Sequence, residues 1–254
     1  MIKPCDLKTL SAGFLLKIYI SLLIANYMDK IEYEKKVEEQ LKFLGVNLKD
    51  LEDEQKKLAK LVSLNDPIMN EIETVAGCYV TYFANKILVA IVVIDKDFEV
   101  LEEKFISERA VFPYIPDFVS YRELPVVIKC WEKLEKTPDA VMINRSGILH
   151  PRKFGMASHL GISINRPVIG ISKDFICGKI KDHKIYLKKE IIGEEVYTKT
   201  GGNPVYISPG HQISLKSSLD LTKKFLKEPH KLPEPLDKAS RYANSIKEEL
   251  LKVK

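Results

Sequence analysis

The sequence predicts an α/β protein built on a mixed sheet, antiparallel hairpins first and parallel strands after, flanked by helices and preceded by a helical extension. Three observations predict it. The stretch "TVAGCYVTYFANKILVAIVVID" (74–95) holds two β-branched apolar runs on either side of "FANK", the mark of a hairpin. "FEVLEEKFISERAVF" (98–112) alternates apolar and charged residues with period two, as an antiparallel strand with one wet face does. "DAVMI" and "RPVIGIS", separated by the helix-like "FGMASHLGISI", carry the βαβ signature of parallel strands.

The flanking elements follow in chain order. Residues 29–43 carry charge at helical spacing around Ile31, Val37 and Leu41. Residues 50–64 repeat the pattern with Leu51, Leu58, Leu61 and Val62 on one side, until "NDP" stops it. "SYRELPVVIKCWEKLEK" reads as an amphipathic helix with Val126, Val127, Cys130 and Leu134 inward and Pro125 in its first turn, which puts Glu123 at its start. "GKIKDHKIYLKKEIIGEE" reads as an exposed basic hairpin, and "NPVYISPGH" as a last strand and a turn. "SLKSSLDLTKKFLKE" is a helix with a Ser cap, and a Pro-rich start leads into a charged terminal helix. The expected organisation is a helical extension over 1–48 and a main domain over 49–254.

A chain of 254 residues, 45% hydrophobic and 30% charged, can bury a full core, which excludes a largely disordered or collagen-like protein. Its net charge of +5 is compatible with a polyanionic partner without demanding one. Cys5, Cys78, Cys130 and Cys177 are scattered, with no CxxC, so neither a zinc site nor a disulfide framework is indicated, and a reducing cytoplasm is the expected setting. The apolar run at 12–27 is interrupted by Lys17 and lacks a small-residue cleavage site. It also falls short of the roughly 20 residues a membrane span needs. It reads as a packed helix, or as an extension upstream of a start at Met28, rather than as an anchor.

Polar breaks at strand ends are where α/β proteins keep their sites. "MINRSGILHPR" is such a break, carrying Asn144, Arg145, Gly147, His150 and Arg152; Lys173 follows "VIGIS", and His211 follows Ser208-Pro209-Gly210. Lys173 and Arg152 can hold phosphate, with a solvated surface as the plain alternative. His159, inside a helical pattern, is better read as packing. Glu123 is a helix-dipole partner if taken alone. The preceding "FPYIPDF" alters that reading: Pro113, Tyr114, Ile115 and Pro116 put apolar bulk on a stiff segment where it cannot all face a core, which suits a wedge between stacked bases. Residue chemistry alone thus reaches a phosphate-binding or nucleic-acid-binding α/β protein.

"VAG", "FPYIPDFVSYRE", "GILHPRKFGMASHLGI", "VIGISK", "GNPVYISPGHQIS" and "LPEP" occur in the order and spacing of the endonuclease V family, which the chain resembles from about Leu51 onward. The resemblance implies a ribonuclease H-like fold. It also implies binding of deoxyinosine- or inosine-containing DNA or RNA in nucleic-acid repair, with Mg²⁺- or Mn²⁺-dependent hydrolysis of a phosphodiester on the 3′ side of the lesion. By resemblance, Pro113, Tyr114, Ile115 and Pro116 match the wedge, and Gly147 through His150, with Arg152 beyond, match the base-pocket and phosphate-contact turn. Lys173 and His211 match active-site positions, and Glu123 matches one of three metal-binding carboxylates.

The chain departs from the family at the other two carboxylates, where Tyr79 and Asn144 stand, and at Arg145-Ser146, where Gly and His are usual. Asn144 offers a metal an uncharged oxygen, and a phenol with an ordinary pKa near 10 is neutral at pH 7. One reading is an active endonuclease with a metal site rebuilt from Asp95, Asp97 or Asp174. A second is a catalytically inactive binding module that keeps the groove, with Arg145 supplying positive charge; a third is a subunit that docks a partner through residues 1–48. The chemistry of the replacements favours lost or weakened catalysis.

Overall fold

Two ten-residue β-branched runs form the spine of the structure, a computed structural model that describes residues 29–66, 72–83, 85–199 and 201–252. The 12–27 run and Met28 lie outside the described residues. Strands β1 (Thr74–Phe83) and β2 (Lys86–Asp95) pair antiparallel, Thr74 opposite Asp95 and Phe83 opposite Lys86. Ile87 to Ile94 are buried without interruption, which is what a strand covered on both faces requires. Each Val, Leu or Ile side chain among them contributes about 1.5–3 kcal/mol when removed from water. Strand β3 (Val100–Arg109) pairs with β2 and buries only Ile106.

Strand β4 (Ala140–Ile143) then runs parallel to β1, and β5 (Val168–Ser172) parallel to β4. The expected βαβ crossover is present between them. Among the described residues nine strands make one mixed sheet, in the order β3-β2-β1-β4-β5-β9-β8-β7-β6. Strand β9 (Val205–His211) pairs antiparallel with β5, and a meander of β6 (Lys179–Lys181), β7 (Lys184–Leu187) and β8 (Glu190–Val196) extends the edge. The basic hairpin is therefore the first part of a three-stranded unit. Asp182 and His183, both at positive φ, make its two-residue turn.

The described residues fall into two compact units, divided between Asn47 and Leu48. The first contains helix α1 over residues 29–44, with Lys36–Glu32 and Lys30–Glu34 pairs one turn apart. In the second, the sheet is sandwiched. Ala76, Cys78 and Val80 of β1 pack with Val126, Val127 and Leu160 from helices α3 (Val119–Trp131) and α4 (Met156–Ile164). Val75, with Tyr79 against the same cluster, faces Leu236 and Ala239 of helix α6 (Glu234–Lys252). Helix α2 (Leu48–Ala59) precedes the sheet, and α5 (Leu215–Lys224) starts on Ser214, whose hydroxyl accepts the Ser217 N–H at 3.1 Å, the expected Ser cap. No described helix is long and apolar enough to cross a membrane.

Three local expectations are corrected. Helix α2 ends at Ala59 rather than Leu64, because Ser63 is drawn into tertiary bonds: its N–H donates to His211 Nδ1 (3.2 Å) and its carbonyl accepts from Gln212 (2.7 Å). Helix α3 is preceded by a 3-10 turn at Pro116–Phe118 and starts at Val119, so Pro125 lies inside it and Glu123 lies beyond its first turn. Ser208-Pro209-Gly210-His211 is strand, not turn. Strand β8 pairs only with Val205, Tyr206 and Ile207, so Pro209 sits where one edge is open and where β5 shows an irregular register.

Candidate nucleic-acid interface

Strand β4 stops at Ile143, level with Cys78, while β1 continues to Phe83. The overshoot leaves a cleft of about 570 Å³ beside β1, bounded by Tyr79 to Tyr82, the turn after β4, the residues after β5, and Tyr114, Pro116 and Glu123. Asn144 closes the exposed ladder. Its Oδ1 accepts the Val80 N–H at 2.7 Å and its Nδ2 donates to the Val80 carbonyl at 2.9 Å, as a further strand residue would do with its backbone.

Arg145 turns onto Glu123. Its Nε and NH2 donate to the two carboxylate oxygens at 2.7 Å each, a bidentate fork, while NH1 donates to the Asn144 carbonyl at 2.8 Å. The Tyr82 hydroxyl donates to Glu123 Oε1 at 2.6 Å, and the Arg122 guanidinium lies 5.5 Å from the centre of the Tyr82 ring. The Glu123 side chain is fully buried and that of Arg145 is 23% exposed. Burial works against the Arg145 charge, but the Glu123 carboxylate outweighs it and lifts the guanidinium above its usual range. Burial, then the same carboxylate, raises the Tyr82 phenol, so it remains a donor.

Gly147 is required by a close approach. A Cβ there would lie 2.1 Å from the Pro209 carbonyl oxygen, and the Gly147 N–H donates to Ser208 Oγ at 2.8 Å. His150 lines the cleft but is buried. Its Nδ1 accepts the Arg152 N–H, which leaves Nε2 to donate to the Asp117 carbonyl at 3.2 Å. Burial, with the Arg152 charge beside it, lowers the imidazole to about 4. Lys173 is exposed at the cleft, its ammonium 5.7 Å from the centre of the Tyr79 ring. In the wedge, Pro113 is buried and Ile115 half-buried, while Tyr114 and Pro116 stand exposed at the cleft.

Two expected residues lie elsewhere. Arg152 is outside the cleft lining, bonded to Gln55 Oε1 and the Asp117 carbonyl and lying over the Phe118 ring at 4.7 Å, so that it ties α2 to the 3-10 turn. His211 pairs with Val168 at the start of β5, whereas the cleft opens at the other end of that strand, beyond Ser172. Tyr82 was not foreseen. The signal was available: strand alternation puts it on the face of Cys78 and Val80, which meets α3. Glu123, flanked on α3 by Leu124, Val126 and Val127, called for a cation, and Arg145 stood in the "MINRSGILHPR" break.

These donors do not fit a divalent ion. The one buried carboxylate of the cleft is neutralised by Arg145, the Asn144 amide is paired with Val80, and Tyr79 packs towards α6 on the other face of β1 from Tyr82. Asp95 ends β2 and Asp97 lies in the turn after it, level with the start of β1 and away from the cleft, and of the three only Asp174 reaches the cleft. Among the described residues, the one group of three His, Asp or Glu ligand atoms that converges is His230, Glu234 and Asp237, outside the cleft.

The family model of endonuclease V matches residues 56–241. The chain belongs to the endonuclease V family. It is 36% identical over 203 residues to the endonuclease V of Thermosipho melanesiensis, covering 77% of this chain and 89% of that protein. With the Dictyoglomus thermophilum endonuclease V it shares 36% identity over 211 residues, 78% of this chain and 92% of the relative. The crystal structure of the Bacillus subtilis endonuclease V superposes with a TM-score of 0.74 at 28% identity, over 82% of this chain and 95% of the other. The endonuclease V family is generally metal-dependent, which makes the ion pair in this cleft the point of departure.

Proposed function

We propose that this chain binds inosine-containing DNA or RNA in the cleft beside β1, as an endonuclease V-family protein of nucleic-acid repair in which metal-dependent 3′-side hydrolysis is lost or greatly weakened. The carrying observation is the Arg145–Glu123 fork. It sets Arg145, paired with Glu123, and the exposed Lys173 in the cleft together with the unburied carboxylates of Asp117 and Asp174, and leaves no free buried carboxylate for Mg²⁺ or Mn²⁺. The volume suits one nucleotide, and the exposed Tyr114 and Pro116 offer flat apolar surface to the stack it leaves. His150, held neutral, lines the pocket with the Gly147 turn. A relative supports the partner class: the endonuclease V of Ciona intestinalis was crystallised with a 23mer DNA containing an inosine. The three free cysteines among the described residues agree with a reducing cytoplasm.

The test is fluorescence anisotropy on labelled DNA and RNA strands carrying one inosine or one adenine at the same position, followed by incubation at protein excess with Mg²⁺ or Mn²⁺. Inosine strands are expected to bind about tenfold tighter, equivalent to about 1.4 kcal/mol, and to remain intact. Equal affinity for both strands would remove the inosine preference, and efficient cleavage would remove the loss of hydrolysis.

A further inference from the structure

We infer that the Arg145 guanidinium is the resident counter-ion of this cleft, seated on Glu123 in place of a divalent cation, so that a phosphodiester is held by protein cations alone. The placing of the phosphodiester rests on reading the cleft as a nucleic-acid site; the exclusion of metal does not. A fully buried carboxyl group carries its charge only beside a cation, and here it has a bidentate one with the Tyr82 hydroxyl as a third donor. A metal that took Glu123 would have to displace the fork and leave the guanidinium without its carboxylate, a like charge beside the ion.

The fork is also fixed from its other end, by NH1 on the Asn144 carbonyl. Three of the five guanidinium N–H groups are thereby committed, leaving two on a side chain that is partly exposed and lines the cleft. The two N–H groups, one on each terminal nitrogen, are donors that phosphate oxygens can use, and the Lys173 ammonium across the same cleft adds a movable point charge. Binding of this kind needs no divalent ion.

The same geometry dictates how a metal site would be restored. Carboxylates at positions 79 and 144 alone would leave Glu123 occupied, and the new charge at 144 would hold Arg145 more firmly. Removing Arg145 is the necessary third change.

The test is Mn²⁺ binding to the full chain without nucleic acid, read from the electron paramagnetic resonance of free Mn²⁺. It compares the parent, Tyr79→Asp/Asn144→Asp, and the triple variant that adds Arg145→Ala. The parent and the double variant are expected to leave Mn²⁺ free, and the triple variant to bind one ion at least about tenfold tighter than either. All three carry His230→Ala, which removes a ligand of the converging His230–Glu234–Asp237 group outside the cleft; stoichiometric Mn²⁺ on that parent, a double variant equal to the triple, or a folded triple variant that gains no ion would each overturn the inference. Circular dichroism reports whether the variants fold. Should the triple variant fail to fold, the parent decides: its oligonucleotide affinity is expected to be equal in EDTA and in Mg²⁺, and a requirement for Mg²⁺ would overturn the inference. If the parent binds no oligonucleotide in either condition, the proposed nucleic-acid function falls and Mn²⁺ binding to the parent still decides the metal question.

Discussion

Two imidazoles set how individual residues answer to acid. Burial, with the Arg152 charge added, lowers His150 to about 4, and burial alone does the same to His159, which packs against Phe154 and Tyr121 with ring centres 5.0 and 5.5 Å away. Both are neutral in the folded protein at pH 7. An unfolded histidine titrates near 6.5, so between about 6.5 and 4 the unfolded chain takes up protons that the folded chain refuses. Stability from these groups is therefore complete above pH 6.5 and is lost as pH falls towards 4, on the order of 3 kcal/mol for His150 and less for the partly exposed His159. Urea unfolding from pH 7.5 to 4.5 measures it. His159→Phe keeps the aromatic contacts and removes a proton site, and the Nδ1 it deletes has no hydrogen-bond partner. The variant is expected to flatten the pH slope in part, with His150 keeping its share; an unchanged slope would remove His159 from the acid sensitivity and leave it to His150 and the carboxylates.

At the scale of elements, α6 lies on β1 with no room for a side chain between them. A Cβ at Gly77 would lie 1.9 Å from the Pro235 carbonyl oxygen, backbone against backbone, so neither side chain nor rotamer can yield. Gly77→Ala is expected to cost about 3 kcal/mol or more and to lower the thermal midpoint measurably; a loss under about 1 kcal/mol would mean that α6 shifts freely on the sheet. The glycine was visible in the "VAG" motif, but its reason was not, because the helix that crowds it lies some 160 residues further along the chain. The strand pairs, the βαβ unit and the Ser cap of α5 were legible because their signals are local. The end of α2 and the strand character of Ser208 to His211 were not, since Ser63, Gln212 and His211 decide them across 148 residues or more. The cleft divides the same way: Glu123, Lys173 and the wedge follow from short motifs. The fork on Arg145 and the place of His211 at the opposite end of β5 depend on how strands pair.

For the whole molecule, a net charge of +5 spread over 254 residues is too small to say where nucleic acid lies, but the salt dependence of binding is not. Each single-strand phosphate neutralised by a protein cation releases condensed counter-ions and adds about 0.7 to the slope of log affinity against log salt. Lys173 accounts for a slope of about 0.7, and Arg145, whose charge is already paired with Glu123, adds less than a full contact. Exposed Lys179, Lys181 and Lys184 on the β6–β7 hairpin would add to it only if the strand extends that far. Lys173→Ala is expected to lower the slope by about 0.7 and to weaken inosine and adenine strands alike, since a phosphate contact carries no base information. The Lys173 side chain is exposed, so the fold has little to lose by its removal. Titrations between 50 and about 200 mM salt check this. A slope that stays the same in Lys173→Ala but drops when Lys179 and Lys181 are both changed to Glu would move the path of the strand from the cleft to the sheet edge, and would leave Arg145 as a purely structural partner of Glu123.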